Sequence, residues 1–369
     1  MPSQRDRLRV GAAVLGAVAV LAILGRITSP QAPASQPGSR PATRWAAPQR
    51  STLPERWVTA QIEVGHGGGP LLFGAGSLWV GAWQDHEVVR IDPRSNRVTA
   101  RFPAGGRNPA GLAVDAATIW VVYPDTDEVV RLDARTGQVV ARINLGRLPF
   151  EVAAGDRRFR PSLVAVGAGA GWVATARGAV ARIDAASNRV VAVIKLAGQG
   201  LKGMAVAGRI VWVAQGGRGL ARIDAATNRL LRPVRLDVQA SRVATDGATI
   251  WVGGRSTDPS VETAGAVARI QGATGRVREI VSSGLPAGVA AGVGAVWITQ
   301  RDGAGGALEC IAPDTMPPAM TGLPALGALA VGGGAVWAAD PRGSLVYRID
   351  PDPFPCSAAS VLTGPAITP

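Results

Sequence analysis

The chain has 369 residues, with glycine at 48 positions and proline at 27, so turns are frequent and long uninterrupted helices are not expected. Hydrophobic residues make up 47% and charged residues 18%, which excludes a wholly disordered chain and leaves material for a large core. The net charge is +13, and the first fifty residues supply +6 of it through Arg5, Arg7, Arg9, Arg26, Arg40, Arg44 and Arg50 against Asp6. No basic cluster with interleaved aromatic or helical readers follows, so nucleic acid is not an expected partner.

Residues 10–25 carry no charge and follow three arginines, the pattern of a signal-peptide core or a short signal anchor. At ~1.5 Å per residue such a helix spans only ~24 Å, short of the ~30 Å hydrocarbon core. Ala32-Pro33-Ala34 offers a small-residue cleavage site, so a retained transmembrane anchor and a cleaved signal peptide both stay open. Either one places the remainder of the chain outside, in the membrane-tethered case with the N-terminus inside. Residues 1–27 are therefore read as anchor or signal peptide. Residues 28–56, rich in proline, alanine, serine and glutamine, are read as a disordered linker.

From residue 57 onward the chain repeats itself. Seven of the ten tryptophans (Trp79, Trp120, Trp172, Trp212, Trp251, Trp297 and Trp337) recur at intervals of 41, 52, 40, 39, 46 and 40. Most follow a glycine and precede Val or Ile with small residues. A period near 40 belongs to propeller blades or helical solenoids, and the period-2 alternation with constant glycine punctuation selects strands. A second phrase follows most of these tryptophans: Arg90-Ile91-Asp92, Arg131-Leu132-Asp133, Arg182-Ile183-Asp184, Arg222-Ile223-Asp224 and Arg348-Ile349-Asp350, with degenerate copies at Arg269 and Cys310. It leads into a tight hairpin in which Asp and Ser or Thr cap free N–H groups. Asn96, Gly137, Asn188, Asn228 and Gly275 stand where a positive φ is needed. These aspartates therefore read as turn residues before they read as catalysts.

Four strands per unit, seven times, predict an all-β, seven-bladed β-propeller over 57–362, with a tail at 363–369. The innermost strand of each blade is the small-residue run, and the tryptophans should pack between neighbouring blades. Residues 57–64 read as an outer strand with no blade before it, so they should complete blade seven; residues 358–362 compete for that place.

On these phrases, best seen at 79–114, 120–152 and 212–236, the chain resembles the YVTN-type β-propeller repeat family, including the virginiamycin B lyase-like proteins. The resemblance covers about 57–350. It implies a propeller and, for a lyase, a divalent metal with a histidine and a glutamate in late blades; the two histidines here are His66 and His86. Lactonase-like propellers imply acidic metal ligands around the axis.

In a propeller the connections entering the inner strands, together with those between the second and third strands, rim one face. Arg107, Asn108, Arg147, Lys202 and Arg242 fall in the former. Long insertions near 156–160 and 256–263 add to the rim, where arginines outnumber acids. The rim reads either as a solvated, arginine-rich surface or as a site for an anionic ligand, an envelope polysaccharide or an acidic protein partner. Asp85, His86 and Glu87 are neighbours on one strand, point to opposite faces and make no expected metal site. No catalytic residue, metal or cofactor is assigned. Cys310 and Cys356 are candidates for a disulfide, which an oxidising exterior permits, or two separate thiols. The function expected is that of an exported, membrane-tethered or secreted, monomeric binding or scaffold module; the alternative is a metal-dependent lyase or lactonase working in the axial funnel.

Overall fold

The computed structural model describes residues 51–52, 57–103, 105–146, 159–175, 178–197, 200–257, 265–271, 276–281, 284–302, 305–311, 319–323, 327–340, 344–352 and 354. The strands formed by these residues fall into seven sheets. Blade one runs through Gly68–Gly74, Ser77–Ala82, Glu87–Asp92 and Arg97–Phe102, each strand antiparallel to the last. Blades two to six begin with inner strands Gly111–Val114, Pro161–Gly167, Gly203–Ala207, Val238–Thr245 and Leu285–Gly292 and repeat the plan. Blade seven takes its three inner strands from Leu329–Gly332, Ala335–Ala339 and Leu345–Ile349. Its outer strand is Val58–Glu63 from the start of the chain, with Ala60 opposite Arg348 and Glu63 opposite Leu345. Each inner strand touches the next around the circle, and Leu329–Gly332 touches Gly68–Gly74, so the ring is closed.

The tryptophans explain why the sheets stand radially. Trp79 lies among Ile119, Val121 and Val130 of blade two, and Trp120 among Val164 and Val173 of blade three. Trp172, Trp212, Trp251, Trp297 and Trp337 each reach the following blade in the same way. Full burial of an indole is worth roughly 2–3 kcal/mol or more, so the seven seams are the main apolar interior. Each indole N–H also needs an acceptor. Those of Trp79, Trp172, Trp297 and Trp337 donate to the carbonyl five residues upstream at 3.0–3.3 Å, which pins the turn between the first two strands of the blade.

The arginine of the repeated phrase sits opposite its tryptophan and lays its guanidinium over the indole: Arg131 stands 4.3 Å from the Trp120 ring, and Arg90, Arg182, Arg222, Arg269 and Arg348 stand 5.5–5.9 Å from theirs. The free end then reaches the hairpin of the next blade. Arg90 donates to the Arg135 carbonyl, Arg131 to the Ala185 carbonyl and Asn188, and Arg182 to Asn228. The hairpins have the expected chemistry. Asn96, Gly137, Asn188 and Asn228 take φ of 55°, 71°, 57° and 58°, and Asp92, Asp133, Asp184 and Asp224 accept from the backbone N–H groups that follow them. Those hydrogen bonds, and for Asp184 first the one from the Ser187 hydroxyl, hold all four carboxyls below the usual aspartate range.

Blade six departs from the repeat. Its arginine is replaced by Cys310, opposite Trp297, and Phe354 covers that indole edge-on at 4.9 Å while also lying 4.7 Å from Trp57. Ser51–Thr52, within the span read as linker, adds a short parallel fifth strand to this blade by pairing with Thr321 and Gly322. Among the described residues no helix is long and apolar enough to cross a membrane. The apolar stretch at 10–25 and the competing strand at 358–362 lie outside the described residues.

Candidate functional site

The upper face, formed by connections between second and third strands and by those entering the inner strands, surrounds the mouth of the axial channel. The described inner strands carry Ser162, Gln239, Ser241, Arg242 and Thr245 as their polar side chains; the rest are Gly, Ala, Pro, Val, Leu, Met and Phe. Arg242 is thus the one charged group on those strands. It was expected in a loop, and this expectation is corrected: the inner strand of blade five is eight residues long, Val238–Thr245, and its register shifts between Ala240 and Arg242. The bulge turns the half-buried side chain toward blade six, where Nε donates to the Ala287 carbonyl at 2.8 Å, while Nη1 donates to the Ser241 carbonyl of its own strand at 3.0 Å.

Lys202 lies next to it. It is exposed and immediately precedes Gly203, whose backbone approaches Arg242 so closely that a Cβ there would stand 3.1 Å from the Arg242 Cα and 2.9 Å from the Val243 nitrogen. The glycine lets the main chains of adjacent blades touch here, while the Lys202 side chain runs past Gly200 and Gly216 of its own blade and that of Arg242 turns to blade six. Arg107 and Asn108 are exposed on blade two's own entry loop, where the Arg107 N–H donates to Asp125 at 3.1 Å and Asn108 takes φ 57°. Arg147 lies outside the described residues, as does most of the insertion beside it.

The triplet of Asp85, His86 and Glu87 does not share a strand as expected: Asp85 and His86 lie in the turn before Glu87–Asp92, with φ 61° at His86, and the turn rather than strand alternation separates them. Asp85 accepts from the His66 N–H at 2.7 Å and meets His66 Nδ1 at 3.2 Å, while Glu87 pairs with Arg101 at 3.5 Å. His86 turns away to the Trp83 carbonyl, 3.1 Å from its Nδ1. The His66 backbone bond, ahead of its ring, holds the Asp85 carboxyl low. Among the described residues no three His, Cys, Asp or Glu side chains converge as a metal site.

Two features had no expectation attached to them. Glu309 is fully buried on the third strand of blade six, with Gln300 donating to one carboxylate oxygen and the other without a hydrogen-bond partner. Burial pushes this carboxyl up to about 8, against the opposing bond from Gln300. In blade two, Asp115 accepts from Trp120, Thr118 and Ala117 and pairs with Arg131 at 3.2 Å. Burial works to raise its pKa, but the bonds from Trp120, Ala117 and Thr118 outweigh it and hold the group at about 2. Cys310 is fully buried and disulfide-bonded; Cys356, the chain's other cysteine, lies outside the described residues.

Seven radial sheets, six of four strands and one with a short fifth, closed by an N-terminal strand, define the protein as a seven-bladed β-propeller. No family model matches the chain, and no curated protein does. Among solved structures it is similar to hydrazine synthase of Kuenenia stuttgartiensis, with a TM-score of 0.62 at 18% identity over 77% of this chain and 95% of that one. It is also similar to the Cps50 (Swd1) β-propeller domain of Myceliophteria thermophila, with a TM-score of 0.62 at 12% identity over 79% and 98%. A chain of the mitotic checkpoint complex matches with a TM-score of 0.63 at 12% identity over 85% and 100%. At these identities the likeness establishes the fold alone.

Proposed function

We propose that the protein is an exported binding or scaffold module of the YVTN-like kind, tethered or secreted through its N-terminal segment, that takes an anionic ligand at the mouth of its axial channel. The ligand class is an acidic envelope polysaccharide or an acidic protein surface. The observation that carries the reading is the exposed Lys202 at the entry to the blade-four inner strand, beside described inner strands whose one charged side chain is Arg242. A cationic rim above an aliphatic wall favours docking of an anion by its acidic groups. The mitotic checkpoint complex, in which a similar propeller is found, supports a partner-binding role by analogy of fold.

The test is retention of the full chain on an immobilised uronic-acid polysaccharide. Lys202→Glu and Arg107→Glu, both at exposed positions, should each lower retention, with Lys202→Glu the stronger by several-fold. Retention unchanged by Lys202→Glu, in protein with wild-type thermal stability, would contradict the reading.

A further inference from the structure

The outer strands carry an apolar pattern that the blade seams do not explain. Among the described residues, four of the five exposed large hydrophobic side chains occupy one place in the repeat: Val139 and Val140 in blade two, Val191 in blade three and Leu230 in blade four. All stand at the start of the outer strand, beside the hairpin on the lower face, opposite the channel mouth. Their exposure is 44%, 50%, 53% and 49%. Apolar residues scattered singly over a surface are ordinary, but recurrence at one position of three consecutive blades is not scatter.

Comparison between blades sharpens the point. In blades one, two, three and seven the pairing of the third and outer strands skips one residue just after the hairpin. In blades one and seven that residue is Thr99 or Thr59, whose hydroxyl donates to the Arg90 or Arg348 carbonyl at 3.3 Å. In blades two and three it is Val140 or Val191, so the hydroxyl is given up for an exposed isopropyl group. Bulges and basic residues also guard an outer strand against pairing with other chains. Threonine serves that purpose, whereas valine at the bulge adds the apolar surface that such protection avoids. The charges nearby are mostly of one sign. The outer strands of blades one to four hold six basic residues and no acid, although Arg101 and Arg142 meet third-strand glutamates at 3.5 and 3.9 Å. Arg189 and Arg229, both exposed, directly precede Val190 and Leu230, and exposed Arg232 follows. The nearest aspartates, Asp133, Asp184 and Asp224, accept hydrogen bonds within their own turns.

We propose that the lower rim of blades two to four docks on an anionic lipid surface. Val139, Val140, Val191 and Leu230 enter the headgroup boundary, and Arg189, Arg229 and Arg232 meet the lipid phosphates. Separate apolar points on one rim, each near a guanidinium, define a plane that a bilayer can meet, whereas a protein partner would cover one continuous apolar core. The N-terminal strand starts at the same rim, where the Asp350 N–H donates to the Trp57 carbonyl at 2.9 Å. The same face would therefore meet the bilayer in a tethered molecule, with the channel mouth turned away. The docking itself depends neither on the tether nor on the ligand proposed at the mouth.

An environment-sensitive nitrobenzoxadiazole label tests it in the full chain under non-reducing conditions. One variant carries the label at Ala186→Cys, in the exposed lower hairpin of blade three, and a control carries it at Gly217→Cys, an open position on the upper face. With vesicles of phosphatidylcholine containing about 30% phosphatidylglycerol, the label at 186 should brighten and shift to the blue while the label at 217 does not. Phosphatidylcholine alone should leave both unchanged. Each label reports its own face, so attachment through another segment does not imitate this result. Val140→Thr combined with Val191→Thr should lower the ratio of docked to undocked label about tenfold. Thermal stability should be kept, since blades one and seven already carry threonine at this position. Arg189→Glu combined with Arg229→Glu should lower the ratio at least as much. No response at 186, an equal response at 217 or on neutral vesicles, or a ratio untouched by both double variants would overturn the proposal. So would a response to protein concentration without vesicles, which would mark a second copy as the occupant.

Discussion

Glu309 gives the sharpest physical prediction. Its carboxyl is raised from 4.5 to about 8 because it is fully buried on the third strand of blade six with one oxygen unbonded. The folded chain therefore keeps a proton that the unfolded chain releases between those two pH values. Stability attributable to this group is complete below about pH 4.5, falls by ~1.36 kcal/mol per unit as pH rises, and levels off beyond about pH 8. At pH 7 the loss is about 3 kcal/mol. Glu309→Gln has nearly the same shape, carries no charge, and its amide can still bond Gln300. The variant should match the wild type at about pH 4.5 and exceed it by up to about 3 kcal/mol at pH 7. Urea unfolding followed by tryptophan fluorescence, at several pH values between these, measures the gap. If wild type and variant keep a constant difference across the range, the carboxyl is not buried as the structure places it and the reasoning fails.

Two further expectations concern the blade seams. Gly171→Ala would place a Cβ 2.4 Å from the Trp120 ring, which is held by its own N–H bond, so the variant should lose about 1–3 kcal/mol; Gly217→Ala, which meets nothing within 4 Å, should be nearly neutral in the same melting experiment. Asp115 is lowered from 3.8 to about 2, so its contribution is present above pH 3.8 and is lost as pH falls through 2. Asp115→Asn should accordingly be about 2 kcal/mol less stable than wild type at neutral pH, with the gap closing on acidification; a gap independent of pH would show that the carboxylate is not the operative group.

Much of this architecture is legible in the sequence because one unit is written seven times. The tryptophan phrase marks the second strand, the Asp-containing phrase marks the hairpin, and the orphan strand at the N-terminus closes the ring, since each feature is enforced by local chemistry that recurs. The seam role of the arginines is less apparent: a positive residue beside an aspartate reads as a solvated turn until the register shows it opposite an indole. Ser51–Thr52 has no pattern at all, since its backbone pairing with blade six makes no demand on side chains. Spacing alone puts Arg242 on the rim, and the eight-residue inner strand with its register shift places it within the blade instead. The candidate site is less legible than the fold because no motif repeats at it. Lys202 and Arg242 are forty residues apart, and their main chains come close only because Gly203 allows two backbones to touch.

The channel mouth and the closed ring both require that Val58–Glu63 pair with Leu345–Ile349 of the same chain. Glu63 and Leu345 are register partners, so a Glu63→Cys, Leu345→Cys variant tests the closure by peptide mapping of its disulfides together with its mass under non-reducing conditions. The account predicts a 63–345 cross-link within a monomer, with a stabilisation of about 5 kcal/mol from so long a loop. Cross-links only between chains, or both new thiols free under oxidising conditions, would contradict it.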